Sequence, residues 1–205
     1  MGHNDGRLIK AGAVALLIGL STVGCGDDGP TEAEYPIPET FCGLDVSRNL
    51  YAPIFPPGTG DLSVEEDFTA AMPNLASVDR CRISLDDEQA ILAETFAAGS
   101  FEDFLRSPGH DDLEEEYDVA DGEPVEGEFD AMVWPGFVLA GAACEPGEGV
   151  PINSFTVGIT AEYPEDDEES VRALSELIQP FMRAALEQSL CTPGDNPASE
   201  YSTGD

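Results

Sequence analysis

Beyond residue 25 the sequence holds one histidine, His110, and four well-separated cysteines among abundant carboxylates, which bounds the chemistry open to the chain. His110 stands in "SPGHDDLEEEY", a polar stretch that reads as a solvent-exposed loop. A serine nucleophile would need that imidazole as its base, and the Gly-x-Ser-x-Gly elbow that presents such a serine is absent. His-Glu-x-x-His and glycine-rich phosphate loops are absent as well. Two carboxylates can hydrolyse a glycoside when they stand at a set separation and burial raises the pKa of one. With 42 acidic residues such pairs arise everywhere, so none is singled out. No catalytic residue is assigned and no cofactor is expected.

Metal chemistry fares little better. Cys42, Cys81, Cys144 and Cys191 are each more than 30 residues from the next, whereas metal sites want close pairs. An even number in an exported chain reads as two disulfides. Three pairings are possible, and Cys42 with Cys81 and Cys144 with Cys191 is favoured, because each joins sequence neighbours and ties a helical segment to a strand. The stretch from Asp111 to Asp130 carries eleven acidic residues around Asp121-Gly122, but their spacing is not that of the helix-loop-helix calcium loop. A mobile acidic loop is the plainer reading, with weak calcium binding as its alternative. One candidate binding patch remains. "VWPGF" places Trp134 and Phe137 at a strand junction, as a recognition tip or as core aromatics, and Arg80 and Arg82 lie on the outer side of a strand, where they pair with carboxylates or grip an anion.

The elements that would position these groups follow from hydrophobic period. "RCRISLD" alternates, with Cys81, Ile83 and Leu85 on one side, so it reads as a half-buried strand ended by an Asp86-Asp87 turn. "QAILAETFA" reads as the hairpin's return strand or as a helix, with the strand favoured, and "GEFDAMVW", "FVLAGAAC" and "SFTVGITAEY" as three more strands, the last with one wet side. Asp45 is expected to cap a short helix through Tyr51, and Ser100 to cap "SFEDFLRS". Val171, Leu174, Leu177, Ile178, Phe181, Met182, Ala185 and Leu186 form one stripe at helical spacing, behind a cap at Asp166. Pro180 inside that stripe predicts a kink or a division into two helices. The resulting expectation is an α+β fold, an antiparallel sheet covered on one face by the C-terminal amphipathic helix and carrying two disulfides. Its domain spans residues 40–191, after an acidic, proline-containing tether at 25–39 and before a disordered tail at 192–205.

Charge sets the partners. Of eight basic and 42 acidic residues, Arg7, Lys10 and Asp5 lie before residue 25, so the remainder carries six against 41, a net charge near −35. Nucleic acid is excluded as a partner, because binding it requires cations that displace phosphate counterions.

The amino terminus says where the chain goes. Two cations precede an uncharged apolar run of 14 residues, Ala11 to Gly24, within the range of a signal peptide and short of the about 20 residues a membrane-spanning helix needs. "TVGC", ending at Cys25, resembles the lipobox of bacterial lipoproteins, although Thr22 stands where leucine is usual. That resemblance implies removal of residues 1–24 and acyl chains on Cys25. Together with the "FCGLDV", "CRISLD" and "AGAAC" segments and a final helix ending in Cys191, the layout resembles small actinobacterial lipoproteins of unknown function. It implies an extracytoplasmic α+β domain held on the outer face of the cytoplasmic membrane. The expected function is a binding or sensor-like module for an envelope protein or other ligand, with an envelope hydrolase using carboxylates as the alternative.

Overall fold

The computed structural model describes residues 33–66, 79–145, 153–189 and 191–193. Residues 1–32, with the signal segment, Cys25 and most of the tether, and the tail from 194 lie outside them. In chain order the elements are α1 (Arg48–Tyr51), β1 (Leu62–Glu66), β2 (Asp79–Leu85), β3 (Glu88–Phe96), α2 (Phe101–Leu105), α3 (Asp111–Glu116), β4 (Glu123–Pro124), β5 (Asp130–Trp134), β6 (Phe137–Ala143), β7 (Ser154–Ala161) and α4 (Asp167–Gln188). The seven strands form one antiparallel sheet in the order β1-β2-β3-β7-β6-β5-β4.

Local chemistry sets the turns. Asp86 and Asp87 both take positive φ, 52° and 68°, the two-residue hairpin geometry that aspartate tolerates and that matches strand twist. At the β5–β6 turn Pro135 supplies a fixed negative φ and Gly136 a φ of 78°, so Trp134 and Phe137 pair directly across the hairpin. Ser170 on α4 accepts from the Gly136 amide at 2.9 Å, which fastens that turn to the helix.

One sheet face packs against α4, as its stripe demands. Leu174, Leu177, Ile178, Phe181 and Met182 are fully enclosed, with Phe155, Val157 and Ile159 of β7 in the same core. The Asp166 side chain caps α4 by accepting from the Glu169 amide at 3.0 Å. The helix then runs through Pro180 as one element, so the expected division into two helices does not occur. Proline there forfeits one backbone hydrogen bond, and the residues buried on both sides of it outweigh that loss. The disulfides are Cys42–Cys81 and Cys144–Cys191, the favoured pairing. The first ties the segment before α1 to β2, and the second closes the end of α4 onto the end of β6.

Three expectations are corrected. The opposite sheet face is not wet over its centre: Thr156 and Gly158 of β7 lie under the α2 segment, whose Phe101 and Phe104 join Leu139, Phe137 and Trp134 in a second apolar cluster. Gly158 is required there, since a Cβ would stand 2.7 Å from the Phe104 ring. Polar alternation in β7 therefore marked small residues beneath an aromatic cover, not solvent contact. The compact unit also begins earlier than residue 40: Ala33 bridges Gly58, Tyr35 is buried with its hydroxyl donating to the Pro56 carbonyl at 2.6 Å, and Ile37 packs on the core. Finally, α1 starts behind Ser47 instead of Asp45, because Val46 is drawn into the core.

Candidate functional site

The connection from β3 to β4, residues 97–122, crosses the face that α4 leaves open and carries His110 and a dense run of carboxylates. Ser100 starts it by accepting from the Asp103 amide at 3.1 Å. Phe101, Phe104 and Leu105 anchor α2 in the second apolar cluster. Trp134 and Phe137 belong to that cluster too, at 5% and 1% exposure, so they are interior aromatics and no recognition tip. Their rings stack with centroids 5.6 Å apart, and Tyr117 covers Phe137 at 4.7 Å. The indole N–H donates to the Asp118 carbonyl at 3.0 Å, which satisfies the one polar atom of the buried Trp134.

His110 is likewise not an exposed loop residue. It is 4% exposed, and its ring lies 4.6 Å from that of Phe104. Nδ1 is 2.8 Å from the Phe104 carbonyl and 2.9 Å from Ser107 Oγ, and Ser107 itself donates to that carbonyl. On the other side Nε2 stands 3.1 Å from Glu94 Oε2, off the line of a straight hydrogen bond. Glu94 is 4% exposed and is paired across the β2–β3 ladder with Arg80, whose Nε reaches Oε1.

Burial acts against the charge on Glu94, yet His110 and Arg80 outweigh it and hold the carboxyl below its ordinary value. Burial likewise pushes the His110 imidazole down, while Glu94 and the Phe104 carbonyl raise it by more, so it sits above its ordinary value. Below that raised value the ring is an imidazolium that donates from Nδ1 and faces a carboxylate with Nε2.

Ser107, His110 and Glu94 have the residue types of a nucleophilic triad, but the proton runs the wrong way. Ser107 gives its hydrogen to the Phe104 carbonyl, and Nδ1 must donate to that same acceptor, so it cannot take a proton from the serine. The serine is itself buried, at 6% exposure. What this trio can do is hold the connection down.

Outside this network lie three open, adjoining grooves. The first runs beneath α3 between Glu102, Arg106 and Asp121. A second is bounded by Asp121, Glu123, Trp134, Pro135 and the start of α4. The third passes from Tyr117 over Gly136 to Glu162 and Asp167. Together they are lined by eleven carboxylates and one arginine. Tyr117 sits where the first and third meet, its hydroxyl pKa pushed up to about 12 by burial and by Glu116. A further groove of about 570 Å³ lies between α1 and α4, where Arg48 and Arg172 face Glu169 and Glu176 over an apolar floor.

The acidic stretch from Asp111 is thus α3 and a short 3₁₀ turn, and among the described residues no three His, Cys, Asp or Glu side chains converge as metal ligands. Arg82 stands apart from Trp134 and Phe137, bonded to Gln89 and 3.6 Å from Glu65 on the β1 side of the sheet. The four suggested patch residues do not form one surface. Glu94 was the residue the sequence reasoning passed over. Its signal was a carboxylate between Leu92 and Phe96, on the side of β3 that also carries those two apolar residues. Among the described residues no helix is long and apolar enough to cross a membrane.

No protein-family model, curated protein or solved structure matches the chain.

Proposed function

We propose that this chain is an exported lipoprotein, held by acyl chains on Cys25 at the outer face of the cytoplasmic membrane, whose domain binds a cationic partner on the acidic face around Tyr117. Two disulfides favour an oxidising compartment, which agrees with the signal-like first 24 residues. The observation that carries the binding reading is the set of adjoining grooves, where eleven carboxylates stand against Arg106 alone, beside the Tyr117 ring. Lysine or arginine side chains of a partner would meet carboxylates along these grooves and an aromatic face at their junction. Attraction of this kind acts mainly on encounter rate and specificity, and it weakens as salt shortens the screening length to about 10 Å at 0.1 M.

The test is a titration of the full-length lipoprotein in nanodiscs with a fluorescent oligolysine peptide at low and moderate salt. Saturable binding is expected. The triple substitution Glu115→Gln, Glu116→Gln, Glu165→Gln within the grooves should weaken it roughly tenfold, at about 0.5 kcal/mol per exposed charge. Substituting Glu65, Glu88 and Glu187, which line none of these grooves, should leave it nearly unchanged. Equal losses from both triples would reduce the effect to net charge, and no saturable binding would reject the reading.

A further inference from the structure

Helix α3 is poorly equipped to hold itself in place. Five of its six residues are acidic, none of its residues is buried, and so short a helix is marginal in water. Only Leu113 packs part of its surface on the second apolar cluster. What fixes the helix is its flanks. Tyr117 stacks at its end, and at its head His110 is inserted beneath the connection against Glu94.

We infer that the Glu94–His110 ion pair is a proton-operated latch, which keeps the segment from Arg106 to Asp118 on the sheet while the imidazole is charged and releases it when the proton leaves. Nδ1 keeps its hydrogen in either state, because the Phe104 carbonyl can only accept. Loss of the other proton turns Nε2 into a lone pair 3.1 Å from the Glu94 carboxylate, and attraction becomes repulsion. The charged surroundings do not cancel this. From β3 the ring meets Glu94, and from β2 it meets Arg80, which is engaged with that same carboxylate. On the latch segment itself Arg106 is shared between Glu102 and Glu114, and Asp111 and Asp112 follow the histidine. The remaining neighbours, Phe96 and Phe104, carry no charge. A single proton therefore governs the closed state, whatever the acidic face binds.

The direction follows from linkage. The closed state raises the imidazole above its ordinary value of 6.5, so opening is most suppressed below that pH and is released as pH climbs through the raised value. Between those limits the open fraction grows by up to tenfold per pH unit, one proton being involved, and then levels.

Trypsin reads this directly, since Arg106 lies in the latch, Arg80 and Arg82 lie in β2, and no lysine follows Lys10. The disulfide-intact full chain is digested at pH 6–9, with each rate divided by that of a free peptide spanning residues 103–113. Cleavage after Arg106 is expected to rise up to tenfold per unit above pH 6.5 while Arg80 and Arg82 stay protected, and to be independent of pH in His110→Gln. In parallel, ring-labelled histidine NMR of the wild type should show His110 titrating above 6.5, which keeps the test decisive if the variant fails to fold. A flat wild-type profile, a matching rise at Arg80 and Arg82, the same rise in His110→Gln, or a His110 midpoint at or below 6.5 would each overturn the latch.

Discussion

Replacing Glu94 by alanine is expected to destabilise the domain by about 3 kcal/mol at pH 6, which lowers the melting temperature by roughly 10 °C. Removing one partner of a buried pair leaves the other uncompensated, and here it orphans two groups. His110 is left beneath the connection with no counter-charge facing Nε2, and Arg80 loses the carboxylate that Nε reaches. Both carboxylate and imidazole are nearly inaccessible, at 5% and 3% side-chain exposure, so solvent screening does little to soften the loss. Glu94→Gln keeps the shape and one acceptor and should cost less.

The pH profile separates this account from simple loss of packing. Glu94 has a lowered pKa in the fold, so its contribution is present above about pH 4.5 and is lost as pH falls through the lowered value. His110 has a raised pKa, so its contribution is complete below 6.5 and is lost as pH rises through the raised value. Stability of the wild type should therefore be greatest between about pH 4.5 and 6.5 with respect to this pair, and fall on either side. Urea unfolding from pH 4 to 9 should show the penalty of Glu94→Ala shrinking at alkaline pH, where the wild type has already lost the ion pair. A penalty constant across that range would assign the effect to packing alone.

Loss of either disulfide should be at least as costly. Cys42–Cys81 spans 39 residues and Cys144–Cys191 spans 47, and loops of that length confer about 4 kcal/mol each when the constraint is counted as unfolded-chain entropy. Alanine pairs at either site are expected to lower the unfolding free energy measured in urea by that amount. Losing both approaches the whole stability of an ordinary domain, about 5–15 kcal/mol. Complete reduction should thus unfold the protein near physiological temperature, and the chain made in a reducing cytosol should fail to fold. A fully reduced chain that keeps its cooperative transition would contradict the disulfide account.

Much of this architecture was legible in the sequence because its signals were periodic. The stripe of α4 and the alternation of β2 declared both elements, and the sheet under a C-terminal helix followed from them. Capping oxygens at Ser100 and Asp166 marked two helix starts correctly. Of the kink or division expected at Pro180, the division is absent, because burial of Ile178, Phe181 and Met182 keeps the helix whole across a local breaker. The far face was harder to see. Thr156 and Gly158 look solvent-facing in β7, and nothing nearby in sequence announces that Phe104, more than 50 residues earlier, lies across them. His110 failed for the same reason. Its neighbours are polar, and its burial depends on Glu94 and Arg80, which only the strand register brings beneath it. The edge strands β1 and β4 are short and carry charge, so they have no strong period to read.

The central claim is that this domain is exported and lipid-anchored, and the mass of the native protein tests it most directly. Membrane fractions would be extracted in detergent and the intact chain weighed, then its amino-terminal peptide sequenced by fragmentation. The account predicts a chain beginning at Cys25, carrying a thioether-linked diacylglycerol and two intact disulfides. A soluble chain that begins elsewhere, or a Cys25 without acyl mass, would contradict it.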